Sequence, residues 1–133
     1  MHFKILVIDD DQDIREVAQM ISSEHLKERA TTEYFHASNG LEALNICFEH
    51  KFDLIFCDIK MPKMDGLSFM KILREGQSQN ADTWTIVFSG AMESVEAKED
   101  QGLDRSYLLK KPFSAKSMGN ALNIWMASEM RKI

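Results

Sequence analysis

Little in this chain could staple it together or hold a soft metal. Its two cysteines, Cys47 and Cys57, lie inside apolar patterns ten residues apart. That spacing fits neither a disulfide framework nor a zinc site, so buried free thiols in a reducing compartment are expected. No stretch approaches the roughly 20 apolar residues that a membrane helix requires. The apolar run Ile5-Leu6-Val7-Ile8 leads straight into Asp9-Asp10-Asp11, which is not the pattern of a signal peptide. Basic residues are outnumbered 16 to 21, for a net charge of −5. That balance gives no electrostatic pull toward nucleic acid or an anionic membrane. Internal repeats, low-complexity segments and linkers are also missing. What remains is a chain of 133 residues, 44% hydrophobic and 28% charged, as expected for one domain spanning 1–133 with a real core. A cytoplasmic location follows from these features.

What is present is an alternation. Phe3 to Ile8 is short, β-branched and almost wholly apolar, the mark of a strand buried on both faces. Ile14, Val17, Ala18 and Ile21 then fall on one helical face, behind an aspartate able to cap it. A weaker strand covers Glu33 to Ala37, and Asn39 with Glu42 forms a capping-box pattern ahead of Leu41, Leu44, Cys47 and Phe48. Leu54 to Cys57 is the third strand, and Leu67, Met70 and Leu73 begin the third helix. Trp84 to Phe88 is the fourth strand, Glu93 to Gln101 a helix-compatible stretch, and Ser106 to Leu109 the fifth strand. Ser114 can cap a last helix whose apolar face carries Met118, Leu122, Trp125 and Met126, with Gly119 weakening it by roughly 1 kcal/mol. Five strands alternating with five helices predict a doubly wound α/β three-layer sandwich around a parallel five-stranded sheet. The nine methionines, Met118, Met126 and Met130 among them, read mainly as core filling. His2, His25, His36 and His50 form no cluster and read as incidental.

The residues that leave each strand carry the chemistry. Strand one delivers Asp9 and Asp10, strand three Asp58, strand four Ser89 and strand five Lys111. In a parallel sheet these ends lie along one edge, where open α/β sheets bind ligands. Carboxylates brought to ~4 Å repel by about 4 kcal/mol per pair at an effective dielectric near 20. Protonation or a divalent cation relieves this, and an all-oxygen donor set favours Mg²⁺. Lys111 and Ser89 are not needed by the metal but suit phosphoryl oxygens. Asp58, alone on the central strand, is the natural nucleophile for an aspartyl phosphate, with Asp9 and Asp10 holding the metal.

Ile8-Asp9-Asp10, Asp58 followed by Met61-Pro62-Lys63-Met64-Asp65-Gly66, Ser89-Gly90 and Lys111-Pro112-Phe113 together resemble the receiver domain of two-component response regulators. The likeness covers essentially the whole chain. It implies the flavodoxin-like strand order 2-1-3-4-5, which the alternation of elements alone does not fix. It also implies Mg²⁺ held by Asp10, Asp58 and the backbone carbonyl of Lys60, with Asp9 acting largely through water. The phosphoryl donor would be a sensor histidine kinase or a histidine phosphotransfer protein. Ser89 would move toward the phosphoryl group and repack the surface of the fourth helix, fifth strand and fifth helix for a downstream protein target. A monomer or a phosphorylation-dependent dimer fits this scheme, and the chain is a stand-alone receiver or a piece of a longer protein.

Two departures stand out. The family carries an aromatic switch residue three places before its lysine, where this chain has Leu108, with Tyr107 one place earlier. Either a bulge restores the register or the aromatic switch is missing. Lys60 and Ala91, at positions that influence water access, are poor at orienting water, which predicts slow self-dephosphorylation. Two rival readings stay open. One is a phosphatase of the haloacid-dehalogenase type using Asp9, although Asp13 stands where that family has Thr or Val. The other is a pseudo-receiver that is never phosphorylated.

Overall fold

The structure is a computed structural model and describes residues 1–90 and 104–130. The stretch Glu93 to Gln101 and Ala91, both discussed above, lie outside those residues. The described elements are β1 (His2–Ile8), α1 (Gln12–Leu26), β2 (Thr31–Ala37), α2 (Gly40–Glu49), β3 (Leu54–Asp58), α3 (Gly66–Glu75), β4 (Trp84–Ser89), β5 (Ser106–Lys110) and α4 (Ala115–Met130). All strand pairings are parallel, in the order β2-β1-β3-β4-β5.

Strand alternation divides the core in two. Phe3, Ile5, Val7, Phe56, Ile86 and Phe88 point to one face, where they meet Ala18 and Leu26 of α1 and Met118, Leu122 and Trp125 of α4. Leu6, Ile8, Ile55, Cys57 and Val87 point to the other, against Ala43 and Cys47 of α2 and Phe69, Met70 and Leu73 of α3. Central strands buried on both faces read as continuous apolar runs for this reason. Both cysteines are free and buried, and burial pushes the Cys47 thiol up to about 12 and Cys57 upward as well. Such thiols are inert.

The helix starts follow the capping pattern. Asp11 accepts from the Asp13 N–H, Asn39 from the Glu42 N–H, and Asp65 from the Ser68 N–H. Glu42 is engaged in turn by the Ser38 hydroxyl. Ser114 accepts from the Ser117 N–H at the start of α4. The face of α1 differs from the apolar pattern. Its buried row is Ala18, Ser22 and Leu26, while Val17 is exposed. Ser22 is accommodated because its hydroxyl meets the Ala18 carbonyl and the Tyr34 hydroxyl, so no polar atom is buried unpaired there.

Candidate functional site

The carboxyl ends of β1 and β3 bring three acids together. Asp9, Asp10 and Asp58 each offer a carboxylate oxygen, and these oxygens lie within 4.8 Å of one another. Asp10 is exposed, whereas Asp9 and Asp58 are 1% and 5% exposed.

Asp9 is fixed from four directions. Its N–H donates to the Ala37 carbonyl, extending the β1–β2 pairing by one residue. Its Oδ1 accepts from the Asp11 N–H at 2.9 Å, and its Oδ2 accepts from Lys111 Nζ at 2.9 Å. Its carbonyl accepts from Arg15 Nη1 at 2.6 Å. Burial pushes the Asp9 carboxyl above its usual range, against the opposing pull of the Asp11 N–H and Lys111.

Lys111 bridges the acids, its Nζ lying 3.2 Å from Asp58 Oδ1 as well. Burial alone would lower the ammonium, but Asp9 and Asp58 outweigh it and leave Lys111 raised. It is therefore a fixed cation at neutral pH. Its backbone N–H donates to the Ser89 carbonyl at 2.7 Å, prolonging the β4–β5 pairing past Lys110, and a cis peptide bond joins it to Pro112. Beneath the ammonium lies the Phe88 ring, 5.9 Å from Nζ, stacked against Phe113 and Phe56. An apolar recess of about 340 Å³ opens beside Lys111, lined by Ile14, Val17, Gly90, Pro112 and Phe113.

The turn from Asp58 to α3 is drawn tight. Ile59 N–H donates to the Phe88 carbonyl, and Gly66 N–H returns to the Ile59 carbonyl at 2.7 Å. A Cβ on Gly66 would stand 2.0 Å from the Asp58 carbonyl oxygen. Lys60 is exposed in this turn, and Lys63 takes a positive φ of 67°.

Asp9, Asp10, Asp58 and Lys111 thus meet as the strand-end pattern predicts. Ser89 stands one residue past the Asp58 partner in β4, half-buried, with its hydroxyl donating to the Gly90 carbonyl at 3.4 Å. Tyr107 and Leu108 divide between the two faces. The β4–β5 register runs unbroken from Thr85–Ser106 to Ser89–Lys110, so a bulge does not restore the aromatic to the switch position. Tyr107 packs on the α1–α4 side of the sheet, while Leu108 is 40% exposed.

Three oxygen donors, two of them buried, with no imidazole or thiol in the group, fit a hard divalent cation. A carboxylate next to a permanent ammonium and such a cation site is an arrangement for receiving an anionic group.

The comparisons with known proteins agree with this geometry. The profile of the response regulator receiver domain matches residues 5–123. The chain is 28% identical over 126 residues to sporulation initiation phosphotransferase F of Bacillus subtilis, covering 95% of each. It is 32% identical over 120 residues to transcriptional regulatory protein SrrA of Staphylococcus aureus, covering 89% of this chain but only 45% of that protein. The chemotaxis response regulator CheY4 of Vibrio cholerae superposes with a TM-score of 0.73 at 30% identity, over 94% of this chain and 99% of that one. The chain belongs to the response regulator receiver domain family. Among the described residues, no helix is long and apolar enough to cross a membrane.

Proposed function

We infer that this receiver accepts a phosphoryl group on Asp58 from a phosphohistidine of a sensor histidine kinase or a histidine phosphotransfer protein. The observation that carries this reading is Lys111 Nζ, 2.9 Å from Asp9 and 3.2 Å from Asp58. An Asp58 carboxylate oxygen attacks phosphorus, the phosphorus–nitrogen bond to the donor imidazole breaks, and that nitrogen keeps the electron pair. Lys111 offsets charge on the transferring oxygens, and Ser89 then donates to one of them. Asp9, Asp10, Asp58 and the Lys60 carbonyl would hold Mg²⁺, which supplies further charge neutralisation when bound. Both Asp9 carboxylate oxygens already accept a hydrogen bond, which favours an Asp9 contact to the ion through water. The apolar recess beside Lys111 gives the donor protein a surface to dock on without covering the acids.

The phosphorylated chain is read by a downstream protein target, through the surface that includes β5. With Leu108 where the family carries an aromatic, the switch relies on Ser89 and not on a swinging ring. Lys60 and Ala91 leave the acyl phosphate poorly exposed to oriented water, so it persists.

Incubation with acetyl phosphate and Mg²⁺ tests the reading, followed by intact-mass measurement. The wild type gains one phosphoryl group and Asp58→Asn gains none. An unchanged mass, together with no spectral change on adding beryllofluoride, would turn the assignment to a pseudo-receiver. Multiple turnover of an aryl phosphate that survives Asp58→Asn and is lost in Asp9→Asn would turn it to a phosphatase. A phosphoryl half-life of seconds would overturn the persistence.

A further inference from the structure

A polar groove of about 520 Å³ lies between α1 and β2, with Arg15, Gln19 and His36 in its wall. The hydrogen bonds there run in one direction. Arg15 Nε lies 3.2 Å from His36 Nδ1, and a guanidinium can only donate. Nδ1 must therefore present its lone pair. The ring hydrogen then sits on Nε2, which donates to Gln19 Oε1 at 2.6 Å. The partners of His36 thus select the neutral ring and one tautomer of it.

The other end of the same guanidinium is at the phosphoacceptor site. Arg15 Nη1 donates to the Asp9 carbonyl at 2.6 Å. A side chain on an edge strand is in this way linked, through one arginine, to the backbone of the turn that carries Asp9 and Asp10.

We propose that His36 is a positioning residue: its neutral ring holds Arg15 against the Asp9 carbonyl, and protonation of that ring releases the Asp9–Asp10 turn. An imidazolium has no lone pair for Arg15 and would set two cations side by side. Burial pushes the His36 ring below its ordinary range, the nearby Arg15 charge pushes the same way, and Glu16 opposes them. The charged groups facing the ring from α1 are Arg15 and Glu16. From β1 its partner in register is the apolar Val7, which contributes no charge. The relay is closed at neutral pH and opens on acidification. Its consequence for phosphoryl acceptance rests on the role assigned to Asp58 above; its existence does not.

Imidazole nitrogen NMR on the unphosphorylated full chain tests the relay. The expected spectrum has His36 protonated at Nε2 and bare at Nδ1. On acidification, the backbone amides of Asp9, Asp10 and Asp11 should shift with the same midpoint as the His36 ring, below the ordinary histidine value of about 6.5. His36→Gln, whose amide oxygen can still accept from Arg15, should erase that midpoint from the three amides. Acetyl phosphate labelling between mildly acidic and neutral pH should then fall several-fold more in the wild type than in His36→Gln. An Nδ1–H tautomer overturns the proposal, as does ring titration that leaves the three amides unmoved, or an amide midpoint that survives His36→Gln. The tautomer and the amide shifts are read on the wild type, so a variant that fails to fold does not rescue the idea. Absence of any phosphorylation would count against the Asp58 assignment alone.

Discussion

Gly66 is packed against the backbone of Asp58 so closely that a side chain on it would stand 2.0 Å from the Asp58 carbonyl oxygen. The contact is with backbone, which cannot swing aside. Gly66→Ala must therefore displace either the start of α3 or the end of β3, and overpacking of this kind costs about 1–3 kcal/mol. Urea unfolding should show that loss, and acetyl phosphate labelling should slow as Asp58 moves relative to Lys111. Unchanged stability and labelling would show that the turn yields freely.

Asp9 and Asp58 compete for one ammonium, at 2.9 and 3.2 Å. In Mg²⁺-free buffer at neutral pH, Asp58→Asn removes one repelling carboxylate and leaves the Lys111–Asp9 pair in place. The variant should melt at a higher temperature than the wild type, and added Mg²⁺ should narrow the gap by stabilising the wild type more. A lower melting temperature would mean that the Lys111–Asp58 contact outweighs the repulsion.

The pH dependence of Asp9 has a definite sign. Burial raises its folded pKa above the ordinary value of 3.8. The stability it contributes is then fully present below that value and is lost as pH rises through the folded pKa. Asp9→Asn should gain on the wild type as pH rises from about 4 to about 7 without Mg²⁺. Paired urea titrations would check this, and a pH-independent difference would contradict it.

Asn80 is wholly buried at the end of the sheet away from the acids. Its side chain accepts from the Phe52 N–H and donates to the Cys47 and His50 carbonyls, tying the end of α2 to the entry of β3. Asn80→Ala takes this partner from the Phe52 N–H and the His50 carbonyl, while the Cys47 carbonyl keeps the Ser78 hydroxyl at 3.2 Å, and a loss of about 2–4 kcal/mol is expected in urea unfolding. Phosphoryl acceptance of the remaining folded protein should change little.

Gly119 presents a different balance. Alanine there would gain about 1 kcal/mol of helix propensity. Its Cβ, however, would lie 3.0 Å from the His25 ring, which is itself bonded to Asn123. Gly119→Ala should give little net stabilisation in the wild type and about 1 kcal/mol in a His25→Ala background. Equal effects in the two backgrounds would remove His25 from the account.

These cases mark how far the sequence could be read. The strands were legible because β1, β3 and β4 are buried on both faces and carry unbroken apolar runs. The carboxyl ends of β1, β3 and β5 then placed Asp9, Asp10, Asp58 and Lys111, and Asn39 and Ser114 announced their helices, whereas the Asp65 cap emerged only in the structure. The strand order itself came from resemblance. Asn80 looked like one more polar residue in a polar connection, because its partners are about 30 residues away. His36 looked incidental for the same reason: its role depends on Arg15, 21 positions earlier and on another element. Ser22 lies outside the apolar spacing of Ile14, Val17, Ala18 and Ile21, yet it belongs to the buried row of α1. Periodicity reports which face is apolar, and it is silent on which polar atoms find one another across elements.

The sheet keeps the two halves of the core out of contact, and Asp58 sits where both can feel it. Its β4 neighbour Phe88 belongs to the compartment closed by α1 and α4, while Cys57 and Ile59 beside it belong to that closed by α2 and α3. A change of charge at one oxygen therefore loads two separately packed bodies at once.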